Sequence, residues 1–429
     1  MADVFGTNNS ETINASDGVT NGADRIFGAG GDDVIFGLDG NDEIKGGGGA
    51  DTISGGSGTD TANYTDSSAG VFVNLLSGDG HNGTAEGDTL FSIENLIGSG
   101  HDDDLIGNDG VNAIQGLDGD DTLKGFGGND TLRGDDGNDF ISGGDGADIM
   151  MGNFGNDTYI VDDLGDVVSE LAGQGIDTVL TSVNYYALPA GADVETLATT
   201  NDNGTAAMHM RGNAIANMIR GNNGDNVING LGGNDQLIGL GGNDFYYVDS
   251  MGDIVVESAG QGFDAIVTSV SYTLPPGADI ESLVAGITTS GQFELTGNAS
   301  GNYIRGNSAN NVINGGDGND ELHGFGGQDS FLFNTPLNAA LNIDIVSDFG
   351  LDDTIVLENT IFGAFSAGGV AAERFVIGAA AQDASDSIIY NDVTGALFYD
   401  SDGNGAGAAI QFAQLDAGLA LTNLDFLVV

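Results

Sequence analysis

The sequence predicts an all-β chain: a solenoid of stacked nine-residue units, closed at its C-terminal end by a β-rich cap domain. Three observations predict it. A glycine-rich nonapeptide recurs at fixed spacing, most regularly over residues 98–160. One large apolar residue stands at position 8 of nearly every unit. Glycine makes up 75 of 429 residues against only 4 prolines, well over twice the usual glycine share of about 7%. So short a unit can bury its apolar side chain only against stacked copies of itself, which is how a solenoid forms a core.

The cleanest copies are GLDGDDTLK (116–124), GFGGNDTLR (125–133), GDDGNDFIS (134–142) and GGDGADIMM (143–151), with glycine at positions 1 and 4 and an acid at position 6. If each unit is a tight turn plus a short strand, two units make one coil. Asp121 then lies over Asp139, and Asp130 over Asp148, about one strand spacing (~4.8 Å) apart. Carboxylates stacked at that distance repel by roughly 3.5 kcal/mol per pair at an effective dielectric near 20. A ladder of them needs cations between its rungs, and hard oxygen ligands point to Ca²⁺.

Composition narrows the partners. Lys plus Arg number 8 against 65 Asp plus Glu, a net charge of −57. Such a chain cannot neutralise nucleic-acid phosphates, is repelled by anionic membranes, and resists compaction unless cations are present. There is no cysteine, so neither disulfides nor thiolate metal sites are available. The first residues lack the basic and apolar regions of a Sec signal peptide, and no apolar run of about 18 residues predicts a transmembrane segment.

Taken in order, residues 1–63 form a first block, opening on a degenerate copy (GTNNSETIN, 6–14). Its position-6 acids are Asp24, Asp33, Asp42, Asp51 and Asp60, and its position-8 residues Ile26, Ile35, Ile44 and Ile53, failing only at Ala62. Residues 64–97 break the period and read as a hairpin or a widened coil. The central block, 98–160, carries Asp103, Asp121, Asp130, Asp139, Asp148 and Asp157, with Asn112 as a neutral rung. Residues 161–211 and 248–296 are duplicated inserts: GNDTYIVDDLGDVVSELAGQGIDTVLTSV (155–183) recurs at 242–270. All three inserts re-enter a block through one strand type, at Glu94-Asn95-Leu96, Glu195-Thr196-Leu197 and Glu281-Ser282-Leu283. The blocks 212–247 and 297–333 begin on Asn217, Asn226 and Asn302, Asn311 and end on Asp235, Asp244 and Asp320, Asp329. The Asn units read as coils that stack without a full metal charge. The nonamer vanishes near 334, and 334–429 reads as a compact β domain.

These nonamers resemble the RTX (repeats-in-toxin) family, whose consensus is G-G-x-G-x-D-x, a large apolar residue, and x. The resemblance implies a parallel β-roll in which the six-residue turns bind several calcium ions. Each site would take the carbonyls of positions 2 and 4 with the position-6 carboxylate, then the carbonyls of positions 1 and 3 with the position-6 carboxylate two units on. On this chain one site would be Ala29, Gly31, Asp33, Gly46, Gly48 and Asp51. The segment TGALFYDSDGNGAGAAIQFAQL looks like the C-terminal domain of RTX exoproteins, including the non-catalytic half of serralysin-type proteases. The ending Asp425-Phe426-Leu427-Val428-Val429 looks like that family's uncleaved type I secretion signal, which implies a type I exporter as partner. Asp400-Ser401-Asp402-Gly403-Asn404-Gly405 matches half an EF-hand loop but has strand-like flanks, so it reads as a β-hairpin loop.

No catalytic motif is found. The four histidines are isolated, so there is no HExxH zinc site, and GGSGT (55–59) is not G-x-S-x-G. Lys45, Lys124, Arg133, Arg220 and Arg305 all stand at position 9, where they balance the acidic turns. The expectation is an extracellular calcium-binding protein, secreted without an N-terminal signal peptide, that folds on calcium outside the cell as a self-assembling surface, matrix or adhesion component. The alternative is a calcium-dependent protein that binds or modifies polysaccharide, with a sparse cationic groove resembling the R-modules of alginate epimerases and its site in the inserts.

Overall fold

Positions 7 to 9 of each unit form a strand. Alternation along so short a strand turns position 8 inward and its two neighbours outward, as the buried Leu123 between half-buried Thr122 and Lys124 shows. The computed structural model describes residues 1–286 and 291–429; residues 287–290, in the second duplicated insert, lie outside them. The described residues hold β-strands and short 3₁₀ turns, with no α-helix. The chain divides into two units, 1–201 with 210–218, and 202–209 with 219–429.

In the first unit, successive nonapeptides feed two sheets alternately. Thr122, Leu123 and Lys124 lie beside Phe140, Ile141 and Ser142 in one, and Thr131, Leu132 and Arg133 beside Ile149, Met150 and Met151 in the other. All these pairings are parallel and 18 residues apart, so two units make one coil of a parallel β-roll. The inward residues form two columns. Ile26, Ile44, Ala62, Leu96, Ile114, Leu132 and Met150 build one, and Ile35, Ile53, Leu90, Leu105, Leu123, Ile141 and Tyr159 the other. Ala62 keeps its place in the column despite its size. The insert at 64–97 contributes a hairpin, Phe72–Asn74 against Asp79–His81, whose first strand pairs in parallel with Asp104–Ile106. Thr89–Phe91 then stacks on Thr52–Ser57. The insert is a widened coil that carries a hairpin.

In the second unit the duplicated insert behaves likewise. Ala265–Thr268 lies between Phe245–Val248 and Ser282–Ala285, in parallel with both. The roll also runs on past 334. Asp344–Val346 stacks on Glu321–His323, and Thr354–Leu357 on Ser330–Phe333. What ends near 334 is the nine-residue spacing, because these coils have longer loops. The roll closes on the antiparallel strands Ile388–Tyr390, Ala396–Tyr399 and Ile410–Gln414. Residues 400–405 occupy the loop of the second hairpin, as their strand-like flanks predict. Phe333, Phe362, Tyr399 and Phe412 pack edge to face over that end. The ending Phe426–Val428 is a strand beside Thr354–Leu357.

One buried side chain per unit makes each column sensitive to truncation. Leu132→Ala is expected to cost about 2–5 kcal/mol in calcium, read as a lower denaturant midpoint, because the rigid coils above and below cannot close the cavity. The exposed neighbour change Thr131→Ala is expected to stay within about 0.5 kcal/mol.

Candidate metal centres

Every position-6 acid is buried, and in the regular turns its two oxygens are in different situations. One oxygen accepts the backbone N–H of the position-6 residue a coil earlier. Asp42 Oδ1 takes the N–H of Asp24, Asp51 that of Asp33, Asp121 that of Asp103, Asp139 that of Asp121 and Asp157 that of Asp139, all at 2.8 Å. The other oxygen, Oδ2, is buried without a hydrogen-bond partner at Asp33, Asp42, Asp51, Asp60, Asp121, Asp130, Asp139, Asp148, Asp157, Asp244 and Asp320. Buried charged oxygens left in that state are costly unless a cation or a proton meets them.

The turn backbone brings more oxygens to the same place. At position 2 the φ angle is left-handed for Ala29 (+77°), Leu38 (+80°), Leu117 (+92°) and Phe126 (+79°), which costs a non-glycine residue roughly 1–2 kcal/mol. Position-1 glycine is needed for a different reason. A Cβ on Gly28 would collide with Asp33 Oδ2 and with the carbonyl oxygen of Gly46 in the next coil, and Gly37 repeats this with Asp42 and Gly55. A carboxylate and a neighbouring coil's carbonyl thus converge on a space that only hydrogen leaves open. Of the set predicted from sequence, Asp33 and Gly46 meet here, and Asp51 Oδ2 lies against Gly46 in the next coil. Ala29 O and Gly48 O each already accept a backbone N–H, from Gly48 at 3.1 Å and from Gly31 at 2.7 Å, and each retains a second lone pair.

The Asn rungs test what belongs in that space. The side-chain amide of Asn226 donates to the carbonyls of Asn222 and Gly224 (positions 2 and 4), to Gly239 O (position 1, two units on) and to Asp244 Oδ1, at 3.0, 2.6, 3.2 and 2.9 Å. Asn311 does the same toward Asn307 O, Ala309 O and Asp329 Oδ1. These are oxygens of the kind the repeat would offer a cation, and here an N–H donor stands among them. The residues present fit Ca²⁺: it would lie between position-6 acids of adjacent coils, neutralise them and take up the inward carbonyls.

Asp24 and Asp103, counted among the ligands from sequence, sit in turns of another kind. Both oxygens of Asp24 are used, by Ala2 and by the N–H and hydroxyl of Thr20. Those of Asp103 are used by Val71 and by the N–H and hydroxyl of Ser99. Position 2 is not left-handed in either turn, so it presents its N–H inward. These turns close on protein donors.

The ladder also includes acids that the nonamer spacing misses. Asp88 accepts from Asp51, Asp166 from Asp148, Asp177 from Asp157, Asp264 from Asp244 and Asp353 from Asp329. Glu94, Glu195 and Glu281 accept from Asp60, Asp177 and Asp264. The signal that finds them is an acid two residues before a buried apolar residue, whatever the loop length.

Burial lifts Asp42, Asp51, Asp88, Asp121, Asp130, Asp139, Asp157, Asp177 and Asp264, and neighbouring acids lift them further. Asp121 reaches about 8, pushed first by burial and then by the charges of Asp103 and Asp139 against the N–H of Asp103. Asp88, Asp157, Asp177 and Asp264 reach about 7, and Asp42, Asp51, Asp130 and Asp139 about 6. Asp24 is the contrast: burial is again the largest influence, but the donors Ala2 and Thr20 together hold it below its usual value.

The RTX calcium-binding nonapeptide repeat model matches residues 19–44, 27–62, 97–125, 124–159, 211–246 and 296–331. No curated protein matches the chain. The chain therefore carries RTX calcium-binding repeats on a parallel β-roll, a repeat type typical of secreted proteins. Among the described residues no helix is long and apolar enough to cross a membrane.

Two outcomes are expected. In chelator, acids whose folded values lie above the unfolded 3.8 favour folding only while protonated. That contribution is complete below about pH 4 and is lost as pH rises through about 6 to 8. Circular dichroism against pH should therefore show β-structure in acid that melts toward neutrality, and the calcium needed to reach a given β content should fall as pH drops from 8 to 6, since protons then meet part of the buried carboxylates. Separately, Asn226→Asp exchanges an internal donor for a charged acceptor, and is expected to add one bound calcium ion per chain in a chelator-competition titration.

Proposed function

We propose that the chain is a secreted calcium-binding protein whose roll forms when it meets the ion outside the cell, and that it serves as a surface, matrix or adhesion component. The observation that carries this reading is the Asn226 amide, an N–H donor set among the oxygens of a repeat-type turn. Where Asp stands in a turn with a left-handed position 2, as at Asp42 and Asp121, the turn has an extra negative charge and no donor on Oδ2, so its closure is coupled to metal. Metal binding then contributes its free energy to folding. At the low calcium of a cell interior the acidic turns repel and the chain stays extended, in a form a type I exporter can thread. The apolar ending after Asp425 would serve as export signal in that state, before it becomes the strand Phe426–Val428.

The position-9 cations weigh against a polysaccharide groove. Arg133 pairs with Asp135, Arg220 with Asp202 at 2.7 Å, and Arg305 lies over the Phe325 ring at 4.2 Å. These three arginines are engaged with near neighbours.

The reading predicts that the full chain at pH 7.5 shows a disordered circular-dichroism spectrum in chelator. It should become β-rich cooperatively on calcium titration to roughly millimolar levels, the range of weak extracellular calcium modules. A chain already β-rich in chelator at that pH would overturn it.

A further inference from the structure

The duplicated inserts bring together a carboxylate that the repeat does not have. In the second copy Glu257 lies with Asp244 and Asp264, and one ligand oxygen from each falls within 4.8 Å of the others. All three side chains are buried, at 2% exposure for Asp244, 5% for Glu257 and 1% for Asp264. Each has one oxygen fixed. Asp244 Oδ1 holds the N–H of Asn226 at 2.6 Å, Asp264 Oδ1 holds that of Asp244 at 2.7 Å, and Glu257 Oε1 accepts the Tyr246 hydroxyl. The remaining oxygens, Asp244 Oδ2, Glu257 Oε2 and Asp264 Oδ2, are buried without a hydrogen-bond partner.

The first copy carries Asp157, Glu170 and Asp177 at the same sequence separations, with ligand oxygens that do not close to within 4.8 Å as those of the second copy do. There Tyr159 donates to Glu170 Oε1, and Asp157 Oδ2, Glu170 Oε2 and Asp177 Oδ2 are again buried without a partner. Glu170 Oε1 also takes the N–H of the position-1 residue Gly152 at 2.9 Å. In ordinary coils that N–H goes to a backbone carbonyl of the next coil, as Gly28 does to Lys45 O and Gly98 to Gln115 O. Where the insert's longer loop withdraws that carbonyl, the Glu carboxylate takes its place and brings a further charge.

We infer that these two triads, Asp157–Glu170–Asp177 and Asp244–Glu257–Asp264, are a second class of calcium site, one per insert, tighter than the nonapeptide sites. A nonapeptide site has two carboxylates and otherwise neutral carbonyls. The triad sets three carboxylates around one point, each held by a donor on its other oxygen. Calcium affinity rises with the number of charged ligands and with the rigidity of the site. The buried tyrosine fixes the Glu rotamer and provides a spectroscopic reporter in a chain without tryptophan.

The inference rests on the calcium reading for the identity of the ion. The test is chelator-competition titration of the full chain with Ca²⁺, for wild type, Glu170→Gln, Glu257→Gln and the double variant. The wild type is expected to show two classes, a tight one of about two ions binding about tenfold or more above the rest. Each single variant should lose one tight ion and the double variant both, with the weak class kept. Glu→Gln retains the shape and the oxygen that Tyr246 reaches, and β content at saturating calcium checks that the variants fold. Tyr159→Phe with Tyr246→Phe frees the Glu rotamers and should weaken the tight class, and it should sharply lower the tyrosine-sensitised emission from about the first two equivalents of terbium added in place of calcium, a result that does not depend on Gln variants folding. A tight class that survives in the double variant, or terbium emission untouched by the Tyr changes, would overturn the inference. A wild type with only a weak class overturns it and leaves the calcium reading intact; no binding at all overturns both.

Discussion

The regular coils of the roll depend on a carboxylate that the protein satisfies by half. Asp139 is representative. One oxygen catches the amide of Asp121 at 2.8 Å, while the other is buried with nothing to accept. The hydrogen bond fixes the height of one coil over the next. The free oxygen makes that arrangement conditional on a positive charge or a proton. Removing the carboxylate would leave the Asp121 N–H buried and unpaired, and keeping it leaves a charge to neutralise, so neither the apolar columns nor the backbone can form a neutral version of this turn unaided. The left-handed angles at Leu117, Phe126 and Asp135 add to the same debt.

A second row of side chains runs along the rim in the opposite sense. Position-5 Asn or Asp accepts the N–H of the position-5 residue one coil later: Asp120 from Asn138 at 2.7 Å, Asn138 from Asn156 at 2.8 Å, Asn156 from Ile176 at 2.8 Å. The position-6 row points its N–H groups forward and the position-5 row points them back. Stacked coils are thus held from both directions, and a one-residue slip would break both rows while turning every position-8 side chain to solvent. This explains the recurrent Asn-Asp pair, whose two members have separate tasks.

The nine-residue period was enough to read a solenoid with two units per coil, an inward apolar residue in each unit and position-6 acids stacked one coil apart; the resemblance added that its strands run parallel. The period was not enough at the inserts, for a definite reason. A coil needs an acid, one spacer and one inward apolar residue at the correct height; the number of residues in the loop is free. Asp88, Asp177 and Asp264 meet that need at separations of 37, 20 and 20 from the residues whose N–H they accept, so a search at fixed spacing passes over them. The position-5 row has no signal in a single unit, because Asn and Asp are ordinary turn residues there and their partners lie a coil away. The treatment of Asp24 and Asp103 as equal to the other acids had a different cause: Thr20 and Ser99 at position 2 signal a turn whose N–H faces inward, a matter of backbone conformation that counting acids does not register.

These turn types fall in a pattern. The first rung of each block closes on protein groups: Asp24 with Thr20, Asp103 with Ser99, Asn217 through its amide to Val194 O at 2.9 Å, and Asn302 to Ile280 O at 2.7 Å. The rungs that follow with buried acids and left-handed position 2 have no such donor. A block therefore begins on a coil that stands without an ion, and each later coil builds on a neighbour whose N–H and carbonyl groups are already in place. The cost of starting a stack is the largest barrier in any structure whose units cannot bury their core alone. Protein groups close the turn at that step, and acids with an unpaired buried oxygen come only beyond it, so cations would extend a block that protein groups have begun.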